Sequence, residues 1–224
     1  MYETDPVADL TRVLESKLLE SSRGLPRPVV APALSYGRHR GPTRPNARIA
    51  AVAIALFQDE DDQWMIPLTL RPDSLQHHAG QVCLPGGRLE GDENPSQAAL
   101  REFEEELGVR AEVTCHCGEL SALYVYASNN LVHPVVSIIS RPTKPWQPDP
   151  VEVAEVIMMP LVKLLRNREE CELALRREVR QGGKPVDHLV FRATAIQVGQ
   201  HKVWGATAMI LDQLAQILLP TSTN

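Results

Sequence analysis

The sequence predicts helices packed on a mixed β-sheet, a sandwich of the α+β or α/β kind, on three observations. A continuous apolar run at 49–57 passes through a polar turn into a second strand-like run, so the two form a hairpin. Further strand-like runs follow at 112–127, 132–140 and 189–198. Helical stretches are few and lie around these strands, at 6–20, 95–107, 159–168 and 205–218, a mixture that suits helices layered on one sheet.

At the start of the chain, Val7, Leu10, Val13, Leu14, Leu18 and Leu19 have the spacing of an amphipathic helix. Residues 21–48 are rich in proline, glycine and arginine and hold no sustained period, which predicts an extended arm. Arg23, Arg27, Arg38, Arg40, Arg44 and Arg48 make the arm basic, as a solvated linker or as a strip that helps hold a phosphorylated ligand. IAAVAIALF (49–57) reads as a buried strand, QDEDDQ as the turn and WMIPLTLR as the returning strand. A short strand is expected at 80–85, before a Pro85-Gly86-Gly87 loop. The expected division is an arm over 1–45, a main domain over 46–220 and a tail over 221–224.

With 224 residues and 43% hydrophobic content, the chain can bury a core without disulfide staples. A net charge of −5 gives no global attraction to nucleic acid or anionic membranes, and neither is expected as a partner. No apolar run approaches the roughly 18 residues of a membrane span. MYETDPVADL lacks the charged-then-apolar plan of a signal peptide. The cysteines, Cys83, Cys115, Cys117 and Cys171, include no pair at C-x2-C spacing. Cys115 and Cys117 lie two apart in a strand-like run, so both face one way, as structural thiols do. Reduced thiols fit a cytoplasmic setting.

The most informative stretch is GRLEGDENPSQAALREFEEELGV, residues 87–109. Asn94 suits an N-cap, Pro95 the first helical position and Gln97 the third position of a capping box, while Gly108 suits a left-handed stop. Ala99, Leu100, Phe103 and Leu107 form an apolar stripe. Beside it lie Glu102, Glu105 and Glu106, with Glu102 and Glu106 stacked one turn apart. Like charges at that spacing cost a helix about 0.2–0.5 kcal/mol, and carboxylates in its C-terminal half oppose its dipole. A hard cation such as Mg²⁺, which takes oxygen ligands together with substrate phosphates, would offset both penalties. A solvated helix face is the plain alternative for such a run taken alone.

The whole stretch resembles the Nudix box, G-x5-E-x7-R-E-U-x-E-E-x-G-U with U a bulky apolar residue. Gly87, Glu93, Arg101, Glu102, Phe103, Glu105, Glu106, Gly108 and Val109 fall on its specified positions without a gap. The resemblance implies a Nudix-type α/β/α sandwich with a mixed β-sheet, and attack of water on a phosphorus of a nucleoside diphosphate linked to another group. It implies Glu102, Glu105 and Glu106 as ligands of Mg²⁺ or Mn²⁺, with a backbone carbonyl near Gly86 or Gly87 added. Glu93 and Arg101 match the pair that braces the helix. The general base is left open between Glu105 and Glu152, and Glu152 is equally read as a solvated residue ahead of the following helix.

Upstream, residues 68–87 resemble a second motif, that of coenzyme A diphosphatase-type Nudix proteins. Leu68, Thr69, Arg71, Leu75, His78, Gly80, Val82, Pro85, Gly86 and Gly87 agree with it; Pro67, Pro72, Gln76 and Leu84 depart. Gln76 replaces an arginine and cannot supply its charge to a ligand phosphate. VHPVV, VEVAEVIMMPL and VWGATAMIL, with the Trp204-Gly205-Ala206-Thr207 turn, resemble later segments of the same subgroup, so the likeness spans about residues 45–218. It implies a small-molecule nucleotide substrate, coenzyme A or an acyl form, cut to 3′-phosphoadenosine 5′-phosphate and a 4′-phosphopantetheine product. Arg71, His78 and Gln81 are the candidate substrate contacts. His78 equally suits a structural hydrogen bond, Arg71 equally suits bracing the glycine loop, and His77 would point away. The competing readings are a Nudix hydrolase of a dinucleoside polyphosphate, nucleotide sugar or nucleoside triphosphate, and a non-catalytic nucleotide-binding regulator. A monomer and a homodimer are equally compatible with the sequence.

Overall fold

The computed structural model describes residues 6–21, 42–75, 79–166, 169–181 and 184–219. Most of the predicted arm, His77 and His78 in the upstream motif, and the tail at 221–224 lie outside them. Among the described residues, eleven strands and four helices follow in the order α1 (Pro6–Ser21), β1 (Arg48–Gln58), β2 (Trp64–Leu70), β3 (Val82–Cys83), β4 (Gly86–Arg88), α2 (Pro95–Leu107), β5 (Val113–Glu119), β6 (Leu123–Val125), β7 (Asn130–Ile139), β8 (Glu155–Pro160), α3 (Leu161–Leu165), β9 (Glu170–Gln181), β10 (Lys184–Val198), β11 (His201–Val203) and α4 (Gly205–Leu218).

β1 is the spine. It runs parallel to β7 along Arg48–Leu56 and antiparallel to its other partners, so the sheet is mixed. Its side chains alternate between two buried faces, which is why the strand reads as an unbroken apolar run. Ala51, Ala53, Ala55 and Phe57 pack with Ala98, Ala99, Phe103 and Leu107 of α2. Ile54 and Leu56 face the opposite layer with Leu14 and Leu18 of α1 and Leu211 and Leu214 of α4. Helices therefore cover both faces, the expected α/β/α arrangement. α1, grouped with the arm by the sequence division at residue 45, contributes Leu14 and Leu18 to the main core, while Leu19 is exposed.

β1 and β2 pair only at the hairpin end, Phe57 with Met65 and Gln58 with Trp64. Beyond it they part: β1 takes β4 as its partner, and β2 takes β3 and β8. The glycine loop expected at 85–87 is thus a short strand, because the lack of side chains lets Gly86 and Gly87 lie against Val52 and Ala51.

Other elements differ from expectation. The run 112–127 divides into β5 and β6, and the strand expected at 80–85 is only Val82–Cys83. The helix expected at 159–168 shrinks to Leu161–Leu165 because Glu155–Pro160 is drawn into the sheet beside β2. The strand expected at 189–198 extends back to Lys184 and pairs with β9, which the sequence reading missed. Cys115 and Cys117 do share one face, their sulfurs 3.8 Å apart, with the Cys115 thiol against Glu15 of α1 at 3.2 Å. Burial pushes the Cys117 thiol up to about 12, so it stays protonated as a packing group.

Candidate active site

α2 carries the site, and its ends are fixed by local chemistry. The Asn94 side chain accepts from the Gln97 backbone N–H at 3.0 Å, and the Asn94 N–H donates to the Gln97 side chain at 2.9 Å, which closes the capping box. Gly108 ends the helix at φ 64°. The buried stripe is Ala98, Ala99, Phe103 and Leu107, with Leu100 only partly buried, and Glu106 is buried with them.

Arg101 ties the helix to the loop before it. Its Nε and Nη2 donate to the two oxygens of Glu93 at 3.2 and 2.8 Å, and Nη2 donates to the Arg88 carbonyl at 3.0 Å. Its Nη1 donates to Glu102 at 3.0 Å and to Glu105 at 2.9 Å. These bonds engage every N–H of the guanidinium. The bidentate pairing pulls the Glu93 carboxyl below its ordinary range and holds Arg101 charged. Glu93 and Arg101, read from the sequence as a bracing pair, are thus brought into direct contact.

The three helix glutamates occupy different environments. Glu105 is exposed. Glu102 is partly buried, and that burial raises its carboxyl above the usual value despite the bond from Arg101. Glu106 is 4% exposed, and its Oε2 is buried with no hydrogen-bond partner. Burial pushes Glu106 up to about 8; the charges of Glu102 and Glu152 act in the same direction, against Arg71 and a hydrogen bond from the Gly86 amide. Gly87 faces Glu102 so closely that a Cβ there would collide with the carboxylate. Gly86 and Gly87 lie beside Glu106 and Glu102.

Glu102, Glu105, Glu106, Asp149 and Glu152 line one cavity of about 220 Å³. The loop bearing Asp149 and Glu152 is bonded to the end of α2. The Gln147 N–H donates to the Leu107 carbonyl at 3.0 Å, and the Asp149 N–H donates to the Glu106 carbonyl at 3.2 Å. These are carbonyls that a helix C-terminus leaves without internal partners. Glu152, read from sequence as either base or solvated residue, is exposed yet borders the cavity. Asp149 was missed. The Asp-Pro step in QPDPVE is a turn signal that would have flagged its loop, though not its place beside Glu106.

Arg71 lies near enough to Glu106 and Cys83 to lower both, and its Nε is buried without a hydrogen-bond partner. The Arg71 N–H donates to the Gln81 carbonyl at 3.0 Å, so these two candidate substrate contacts flank one turn. Thr207, in the first turn of α4, reaches the same corner through a hydrogen bond with Cys83. His78 lies outside the described residues. Of the basic arm residues, Arg44 sits over the Tyr126 ring at 4.2 Å and Arg48 donates to the Ser128 carbonyl at 2.8 Å, so the described part of the arm is bound to the 126–128 loop.

Among the described residues no three such groups already converge on a single metal-binding point. Arg101 draws Glu102 and Glu105 to itself instead. The residues nevertheless fit a hard divalent cation. The donor set is carboxylate oxygen, one buried oxygen has no partner, and the missing side chain at Gly87 gives the Glu102 carboxylate room beside the glycine strand.

The family model for the NUDIX domain matches residues 47–180. The chain is 32% identical over 185 residues to Nudix hydrolase 15, mitochondrial, of Arabidopsis thaliana, covering 80% of this chain and 61% of that protein. It is 34% identical over 150 residues to a Photorhabdus laumondii protein named Uncharacterized Nudix hydrolase NudL, covering 66% of this chain and 74% of that protein. The chain thus spans about three fifths of the length of the plant relative. Among solved structures, the MutT protein from Methanosarcina mazei Go1 aligns with a TM-score of 0.43 and 21% identity, over 55% of this chain and 84% of that one.

Proposed function

This chain belongs to the NUDIX family, and on that premise we propose that it is a divalent-metal-dependent hydrolase of a diphosphate linkage, with coenzyme A or an acyl-coenzyme A as its substrate. The products are 3′-phosphoadenosine 5′-phosphate and the corresponding 4′-phosphopantetheine. The observation that carries the hydrolase reading is the partnerless buried oxygen of Glu106 in a cavity lined by four further carboxylates. A buried carboxylate oxygen without a partner is costly, and a bound cation would offset that cost.

Glu102, Glu105 and Glu106 would hold Mg²⁺ or Mn²⁺, with a backbone carbonyl near Gly86 or Gly87. When bound, such an ion offsets the charge of the diphosphate and makes hydroxide accessible near neutral pH. The protein's own groups do the rest. Arg71 lies near Glu106, with its buried Nε unpartnered, and its guanidinium is the candidate contact for a phosphate oxygen. Arg101 and Glu93 hold the helix against the loop, so that the glutamates keep their spacing. Glu105 and Glu152, both exposed on the cavity, are the candidates to take a proton from an attacking water.

The choice of coenzyme A rests on the 68–87 segment, in which Arg71, Gly80, Val82 and Pro85 keep the subgroup pattern. The test is a panel of coenzyme A, acetyl-coenzyme A, diadenosine tetraphosphate, a nucleotide sugar and a nucleoside triphosphate, each with Mg²⁺ or Mn²⁺. Products are identified by mass spectrometry in ¹⁸O-labelled water. Coenzyme A is expected to yield the two named products, with label on one of the two phosphates. Intact coenzyme A beside turnover of another compound overturns the substrate, and no turnover of any compound overturns the activity.

A further inference from the structure

We propose that Asp149 is a positioning residue for the reaction: its side chain and carbonyl fix Glu152 against α2, acting as hydrogen-bond acceptors and not through charge. This rests on the hydrolase reading above. The Asp149 N–H is anchored on the Glu106 carbonyl at 3.2 Å, on the last turn of the helix that carries the glutamates. From that anchor Asp149 collects the amides that follow. Its Oδ1 accepts from the Val151 N–H at 2.8 Å. Its carbonyl accepts from the Glu152 N–H at 3.1 Å and the Val153 N–H at 2.8 Å. Pro150 has no N–H to place. Every backbone donor from 150 to 153 therefore ends on Asp149, and Val153, 2% exposed, fastens the far side of the turn in the core. Glu152 stands between these fixed points and lines the same cavity as the box glutamates.

Such a turn needs an oxygen at Oδ1 and no negative charge, since asparagine forms the same side-chain turn. A displacement of about 1 Å in a catalytic group costs about a hundredfold in rate. Three side chains at this position separate the roles. Asp149→Asn keeps the acceptor and loses the charge. Asp149→Ala loses both. Asp149→Ser keeps a weaker acceptor and serves if the alanine variant does not fold.

The experiment uses the full chain and the substrate on which the wild type shows the highest Mg²⁺-dependent turnover. Failure to find any such substrate sinks the hydrolase reading and is distinct from the outcomes below. Asp149→Asn is expected to keep kcat within about threefold of wild type, while Asp149→Ala loses about a hundredfold in kcat with KM little changed. In the Glu152→Gln background, Asp149→Ala is expected to cost nothing further, because the group it positions is already gone. Mn²⁺ affinity, read by electron paramagnetic resonance, should match wild type within about twofold in Asp149→Asn. Full additivity of Asp149→Ala with Glu152→Gln overturns the proposal. So does a tenfold loss of Mn²⁺ affinity or of kcat in Asp149→Asn, since either makes the charge the operative feature.

Discussion

Gly87 and Glu102 face each other so closely that no side chain fits between them: a Cβ on Gly87 would collide with the Glu102 carboxylate. Gly86 beside it is crowded differently, because its Cβ would strike the Ala51 carbonyl and the Val52 Cα. The first collision is with the end of a flexible side chain, and the second is with the backbone of the central strand. Gly87→Ala is therefore expected to fold with a loss of under about 1 kcal/mol, while Glu102 swings away and kcat falls about tenfold or more. Gly86→Ala should cost about 2–3 kcal/mol or more, because β1 and β4 must separate. Urea titrations alongside turnover measurements check both. Equal stability loss in the two variants would contradict the assignment of side chain and backbone as the respective obstacles.

Glu106 makes stability depend on pH with a definite sign. Its folded value, about 8, lies above the ordinary 4.5 of an unfolded chain, so the folded state binds the proton more tightly. The contribution is fully present below about pH 4.5 and is lost as pH rises to about 8, a change of order 5 kcal/mol at most. In EDTA, the wild type is expected to lose stability between pH 5 and pH 8, and Glu106→Gln should lack that component. Mg²⁺ should restore stability in the upper part of the window and displace a proton in doing so. Calorimetry at pH 7 in buffers of different ionisation enthalpy would reveal the released proton. A stability curve of the same slope in wild type and Glu106→Gln refutes the account.

How far the sequence revealed the fold depended on how local each cause was. The limits of α2 were readable because Asn94, Gln97 and Gly108 act within one turn of the helix ends. β1 was readable because it is buried on both faces. β9 was not: ECELALRREVRQ is largely charged, and it becomes a strand by pairing Cys171 with Ala195 and Leu173 with Ala193, partners that local composition does not identify. β8 was hidden for a related reason, since the apolar Ile157–Pro160 suits helix and strand alike until β2 claims it. At the site, helical spacing alone placed Glu102, Glu105 and Glu106 close together on α2. Asp149 escaped notice because its place depends on a backbone bond to the Glu106 carbonyl, a long-range contact with no local pattern.

Glu105 is the most exposed of the three glutamates read as metal ligands, with 58% of its side chain accessible, and its ion pair with Arg101 joins positions one helical turn apart. Pairs of this kind stabilise a helix by about 0.3–0.5 kcal/mol. Glu105→Gln should therefore leave the melting temperature within about 2 °C of wild type. If Glu105 holds the cation or takes the proton, kcat falls about 10²–10⁴-fold. Circular-dichroism melts and steady-state turnover of the same preparations make the comparison. Activity retained at full stability would remove Glu105 from the chemistry and leave Glu152 as the base.

Gly108 serves the site by what it lets approach. Its backbone is left-handed at φ 64°, and a Cβ there would strike the Gln147 carbonyl of the loop that carries Asp149 and Glu152. Gly199 is also left-handed, at φ 58°, but a Cβ would meet nothing within 4 Å. Gly199→Ala therefore isolates the conformational penalty, about 1–2 kcal/mol. Gly108→Ala carries that penalty together with the collision, which displaces Gln147 from its 3.0 Å bond to the Leu107 carbonyl and Asp149 from its bond to the Glu106 carbonyl. It is expected to lose at least twice as much stability as Gly199→Ala, and about tenfold or more in kcat, while Gly199→Ala keeps its activity. Gly108→Asn separates the two causes, since asparagine tolerates the left-handed region but not the contact. It should remain as inactive as Gly108→Ala. Recovery of wild-type turnover in Gly108→Asn would show that backbone strain alone, and not the approach of the 147–153 loop, makes glycine necessary at this position.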